Sequence, residues 1–191
     1  KTRKRFNYIV MKKQSNLLKW LTILFLIRTF YLIFLQLANL FSIKNSGTIS
    51  YTIYSIKFPV NISNLTMWLS NLLIFFLLIY LSYLLFTLIK IAINLNKNLL
   101  FTTKNAKQLN SVGVGIIIFT LVLILIQIPL ELSMLINKTD PKETFSYYLG
   151  YTFGFIIAKR LYLFMIAIFI LIISSLIKSG EVVQQENDLT I

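Results

Sequence analysis

A chain of 191 residues that is 57% hydrophobic, only 13% charged and of mean hydropathy +0.78 lacks the polar side chains to cover itself in water, since soluble domains carry about 25% charged residues. Its formal charge of +13 comes from bases that flank apolar runs, so a lipid bilayer is the expected partner and direct nucleic-acid binding is not. With no Cys and no His, disulfides, thiolate chemistry, Cys/His metal sites and His-dependent acid–base catalysis are excluded.

Residues 1–16 are a basic N-terminal segment that opens on Lys1 rather than Met, which points to a missing first residue or short leader. Four apolar runs follow, at 17–41, 65–93, 112–136 and 151–178, each near the roughly 20 residues that cross a hydrocarbon core. The first is too long for a cleavable signal and has no small-residue cleavage site. The predicted fold is therefore an all-α integral membrane protein, a bundle of four transmembrane helices. Lysines and arginines gather before the first run, between the second and third (residues 94–111) and at Lys178. The excess of bases on that side predicts that both termini are cytoplasmic. The expected location is the cytoplasmic (inner) membrane of a bacterium, crossed several times. The two outer loops are 42–64 and 137–150. In the first, alternation at Tyr51, Ile53, Tyr54, Ile56 and Phe58 ahead of Pro59 predicts a small β element. The sequons at Asn61, Asn64 and Asn137 are read as chance in a bacterial chain.

Polar residues inside the runs need partners. Arg28 lies near the middle of the first run, where an arginine costs roughly 2.5–3.5 kcal/mol on insertion scales. Glu131 is the one acid within a run, Gln127 sits a turn deeper on the same face, and Lys159 and Arg160 come to the same level when about 20 residues are counted out from Lys178. Two readings stand side by side: a polar pocket of Arg28, Gln127, Glu131 and Arg160 that takes an anionic or amphiphilic ligand, or a structural ion pair holding the helices in register. Pro129 predicts a bend in the third helix. Gly150, Gly154 and Ala158 recur at every fourth position and predict close helix packing, with the fourth helix starting as early as Phe145.

On the cytoplasmic side, Thr102 or Thr103 is placed to cap a helix that continues into the third run, with Lys104 and Lys107 on one side of it. Gly180 is placed to end the fourth helix. The remaining residues, 179–191, carry Glu181, Glu186 and Asp188; acids are repelled by anionic lipid, so the tail is expected to meet Lys97, Lys104 and Lys107 or another protein.

Two stretches carry a resemblance: Asn98-x-Leu100-Phe101-Thr102-x-x-Asn105-Ala106-Lys107-x-Leu109-x-x-Val112-Gly113, and Gly180-x-x-x-Gln184-x-Glu186-Asn187-Asp188-Leu189-Thr190-Ile191. With the four-run layout they resemble a bacterial family of four-helix membrane proteins, domain-of-unknown-function family 2975. In that family the tail usually reads E-E-N-D-L-T-V, where this chain has Gln185 at the first acid and Ile191 at the end. A Pro-Phe pair often stands where this chain has Leu100-Phe101. The resemblance implies a neighbourhood: members are commonly encoded beside a small helix-turn-helix regulator. The expected function is thus a non-enzymatic membrane protein that binds such a transcription factor through Lys97, Phe101, Lys104, Lys107, Glu181, Glu186, Asn187, Asp188 and Leu189. The alternative is a small transporter or toxin-immunity protein working through the polar pocket. No catalytic or metal residues and no cofactor are expected; the partners are lipid, the regulator and, in a second expectation, a further copy of the chain.

Overall fold

The computed structural model describes residues 2–43, 52–53, 56–57, 64–96, 102–136 and 145–189. They form helix α1 at Thr2–Ile43, strands β1 at Thr52–Ile53 and β2 at Ile56–Lys57, then α2 at Asn64–Asn96, α3 at Thr103–Ile136 and α4 at Phe145–Leu189. All four helices are long and apolar enough to cross a membrane. A helix satisfies its own backbone, which is why leucine- and isoleucine-rich runs of this length take that form in lipid. Each helix runs past its apolar segment, α1 and α4 by most. The two short strands pair antiparallel, Thr52 opposite Lys57 and Ile53 opposite Ile56, and β2 rests on α3.

The helices pack in chain order, α1 on α2, α2 on α3 and α3 on α4, the last pair most extensively. Polar contacts set the registers. Ser15 Oγ donates to the Ala92 carbonyl (2.6 Å), and Gln36 Nε2 donates to Asn71 Oδ1 (2.7 Å) and to its carbonyl (2.9 Å). These pairs lie further along α1 as they lie further back along α2, so the helices are antiparallel. Asn94 Nδ2 donates to Asn105 Oδ1 (2.9 Å) between α2 and α3, and Ser174 Oγ donates to the Ala106 carbonyl (2.7 Å) between α4 and α3. All three interfaces therefore share one end, marked by Ser15, Ala92, Asn94, Asn105, Ala106 and Ser174.

Two glycines let α3 approach both neighbours. A Cβ on Gly113 would stand 2.7 Å from Leu171 Cδ2 and 3.2 Å from the Ala167 carbonyl of α4. One on Gly115 would stand 2.5 Å from Leu84 Cδ2 and 2.9 Å from the Tyr80 hydroxyl of α2. By contrast, nothing lies within 4 Å of a Cβ at Gly150 or Gly154. The expected packing face is thus corrected: within this chain Gly150, Gly154 and Ala158 point outward, and the close approach belongs to α3. The reason is rotational. Tyr148, Thr152, Ile156 and Arg160 occupy the buried ridge of α4, which turns the intervening small residues away.

The surface is the reverse of a soluble protein's. Phe25, Phe34, Phe41, Leu125, Met165 and Phe169 are all more than half exposed, while Gln36, Asn71, Asn105, Thr120 and Gln127 are fully buried. Apolar side chains face outward where acyl chains can solvate them, and polar groups turn inward to find partners. A hydrophobic cluster of Ile74, Leu78, Phe119, Leu123 and Leu130 fills the α2–α3 interface, and a second, of Ile91, Ala106, Leu109 and Ile177, lies at the shared end.

Candidate functional sites at the two ends of the bundle

The shared end is a belt of cations. Lys12 and Lys13 stand within a turn of Ser15, Lys90 within a turn of Ala92, and Lys178 one turn from Ser174; with Lys104 and Lys107 they are all exposed. Thr102 starts α3: its Oγ1 accepts from the Asn105 amide (3.2 Å), the usual bond of an N-cap threonine. Thr103, the other candidate cap, does something else. Its Oγ1 meets both carboxylate oxygens of Glu181 at 2.7 and 2.8 Å, so the hydroxyl proton is shared between them. The carboxylate sits at the start of α3, where the helix dipole favours negative charge.

That contact explains a second correction. Gly180 does not end α4; the helix continues through it to Leu189. An interior glycine disfavours a helix by about 1 kcal/mol, but the bond from Thr103 to Glu181 fixes the next residue against α3 and carries the helix onward. Beyond it, Val182 and Val183 are about half exposed, at 51% and 56%, and Glu186 is exposed. Of the residues expected to dock a partner, the structure thus gathers Lys104, Lys107, Glu181 and Glu186 at one end. Lys97 and Phe101 lie outside the described residues, as do the side chains of Asn187, Asp188 and Leu189.

The far end holds a polar layer. Arg160, 3% exposed, donates from Nη2 to Gln127 Oε1 (3.0 Å), and Gln127 Nε2 donates to Glu131 Oε1 (3.3 Å). Continuing the α2–α3 register brings Asn71 level with Gln127, so the Gln36–Asn71 pair lies in the same layer. Three of the four expected pocket residues come together here. The fourth does not: Arg28 is exposed on α1, a helix whose substantial contacts are with α2. Lys159 lies half-buried beside the layer with its Nζ 5.5 Å from the Phe155 ring centroid, the toward-the-N-terminus lean of a helical side chain.

Sequence reasoning missed Gln36, Asn71, Tyr148 and Thr152. The signal for the last two was present in the four-residue spacing of Tyr148, Thr152, Ile156 and Arg160. Among the described residues no group of three or more acids, Cys or His could hold a metal.

Apolar outside, polar inside, and threaded by four helices long enough to cross a bilayer, the molecule is a multi-pass α-helical membrane protein. More narrowly, the chain belongs to the family of proteins of unknown function DUF2975, whose family model matches residues 12–191. No curated protein and no solved structure matches it.

Proposed function

We propose that this protein is a non-enzymatic regulatory membrane protein whose lysine-rich end faces the cytoplasm and docks a small helix-turn-helix transcription factor. One observation carries the reading: α4 continues past the lysine belt as a helix tied to the start of α3 by the contact of Thr103 with Glu181. A solvated tail has no need of such an anchor. Anchored, α4 carries the exposed Val182, Val183 and Glu186 past the start of α3 as a helix, at the end of the bundle where Lys104 and Lys107 also lie exposed. The choice of partner rests on the genomic neighbourhood that the family resemblance implies. For the bundle to act as a regulator, the partner must bind one of its states more tightly than another.

Co-expression of the neighbouring regulator with the full chain and with a 1–180 truncation tests this. The full chain is expected to retain the regulator through detergent purification and the truncation to lose it, both remaining in the membrane; equal recovery from both ends the docking role. Sidedness has its own test, because a chain with no Cys gives every introduced thiol a unique label. A cysteine at Lys107 is expected to react with impermeant maleimide only after the cells are opened, and one at Gly150 in intact cells. The opposite pattern would invert the assigned orientation.

A further inference from the structure

The buried ridge of α1 has a period of seven. Ser15, Thr22, Thr29 and Gln36 are each 5% exposed or less, and the two ends of the ridge, Ser15 and Gln36, bond to α2. Such a repeat keeps one face of a helix against its partner through a left-handed crossing. A second ridge on α1 has similar spacing and no cover. Leu17, Leu21, Leu24, Arg28, Tyr31 and Leu35 alternate steps of four and three, and all six are exposed. Its one charge stands near its middle.

Arg28 makes no hydrogen bond and no ion pair among the described residues. It lies nine residues past Lys19, about 14 Å at 1.5 Å per residue, close to the middle of a roughly 30 Å hydrocarbon core. A charge at that depth is costly in lipid and as a rule faces protein or a water-filled cavity. The polar layer at Gln36 is about 12 Å further along α1. The anion must therefore come from outside the chain. A second copy inserted the same way does not supply it. Of the six acids only Glu131 lies in a span, and it stands a turn beyond the Gln36 level, about 18 Å along the bundle from Arg28. Lipid phosphates lie outside the hydrocarbon core. What complements a planar guanidinium within the core is a carboxylate.

We propose that the stripe from Leu17 to Leu35 is a second helix seam, occupied by a transmembrane helix of a different protein that brings an Asp or Glu carboxylate opposite Arg28. The leucines on either side supply the packing. The ion pair selects the partner and fixes its register, as a single polar position does in a coiled coil. Tyr31 adds a phenol one turn further along the same stripe. The inference is independent of the cytosolic docking reading, which concerns the ends of α3 and α4.

The probe is a designed leucine helix of about 21 residues, flanked by lysines, with Glu, Gln or Leu at its centre and an acceptor dye at one end. The full chain carries a donor dye on Lys12→Cys, a unique thiol because the sequence has no Cys. Energy transfer is titrated in phosphatidylcholine vesicles at neutral pH. The Glu probe is expected to bind saturably and about tenfold more tightly than the Leu probe, with the Gln probe between them. Arg28→Leu, at an exposed position, is expected to keep the thermal midpoint in detergent and to erase that advantage. Leu121 is exposed on α3 and level with Arg28 by the Ser15–Ala92 and Asn94–Asn105 registers. Moving the charge there, as Arg28→Leu/Leu121→Arg, is expected not to restore the advantage. Four results overturn the seam: equal binding of the Glu and Leu probes, an advantage that survives Arg28→Leu, its full recovery with the charge on α3, or its loss in vesicles containing phosphatidylglycerol, which would assign Arg28 to a lipid phosphate.

Discussion

Gly113→Leu is expected to be the most damaging single substitution in the spans, lowering the thermal midpoint in detergent and loosening α4 from α3. Its first side-chain carbon alone would stand 2.7 Å from Leu171 Cδ2, 2.8 Å from its Cγ and 3.2 Å from the Ala167 carbonyl oxygen. The Leu171 side chain can turn aside about its first torsion, but the Ala167 carbonyl oxygen moves only with the helix. Overpacking of this kind costs about 1–3 kcal/mol and more when the backbone must separate. Gly113→Ala gains about 1 kcal/mol of helix propensity against the same clash, so its net loss is smaller. Gly150→Ala is the internal control: with nothing within 4 Å of the new Cβ, only the propensity gain remains, and the midpoint is expected to hold or rise. A loss at Gly150 matching that at Gly113 would mean that another molecule covers this face of α4.

The second large effect concerns the bond between Arg160 and Gln127. Arg160→Leu leaves Gln127 Oε1 buried without its donor, a loss of about 1–3 kcal/mol. Gln127→Leu takes a hydrogen bond from the buried Arg160 guanidinium and one from the Glu131 carboxylate at once, and hydrogen bonds to charged groups are worth about 1.5–3 kcal/mol each. The order of damage is thus expected to place Gln127→Leu above Arg160→Leu. The double substitution is expected to lose less than the sum of the two single ones, because the Arg160–Gln127 bond is then removed from both sides, while Glu131 still lacks its donor. Thermal midpoints of the four proteins in one detergent supply the cycle. Additive losses would show that the two side chains do not depend on each other.

What was legible in the sequence follows from which forces leave a linear trace. Apolar runs bounded by lysines do, because a bilayer imposes length on every span; so the four helices could be read directly. Glu131, Gln127 and Arg160 were also readable, since a charge in a greasy run demands a partner at its own depth. Arg28 met the same test and failed it, because depth says nothing about which way a side chain faces; the rotation of α1 against α2 decides that. Gly113 and Gly115 stand two apart and drew no packing expectation, while Gly150, Gly154 and Ala158 recur at every fourth position and drew one. Their roles are exchanged in the fold because the buried ridge of α4 is set by Tyr148, Thr152, Ile156 and Arg160. Gly180 read as a stop for the same kind of reason: its local preference was visible, and the contact of Thr103 with Glu181, 78 residues apart in the chain, was not.

The length of α4 has a mechanical meaning. Its 45 residues make a rod of about 67 Å at 1.5 Å per residue, more than twice a hydrocarbon core of roughly 30 Å, and no proline interrupts it. Arg160 and Glu181 ride on this one shaft about 32 Å apart by the same rise. Twist along an α-helix is held by a hydrogen bond at every residue, so turning one end turns the other. A single residue inserted between them would rotate Glu181 by about 100° away from Thr103 while leaving Arg160 where it is. The face that α4 offers at each end is thus set by one continuous helix, packed closely against α3 at Gly113.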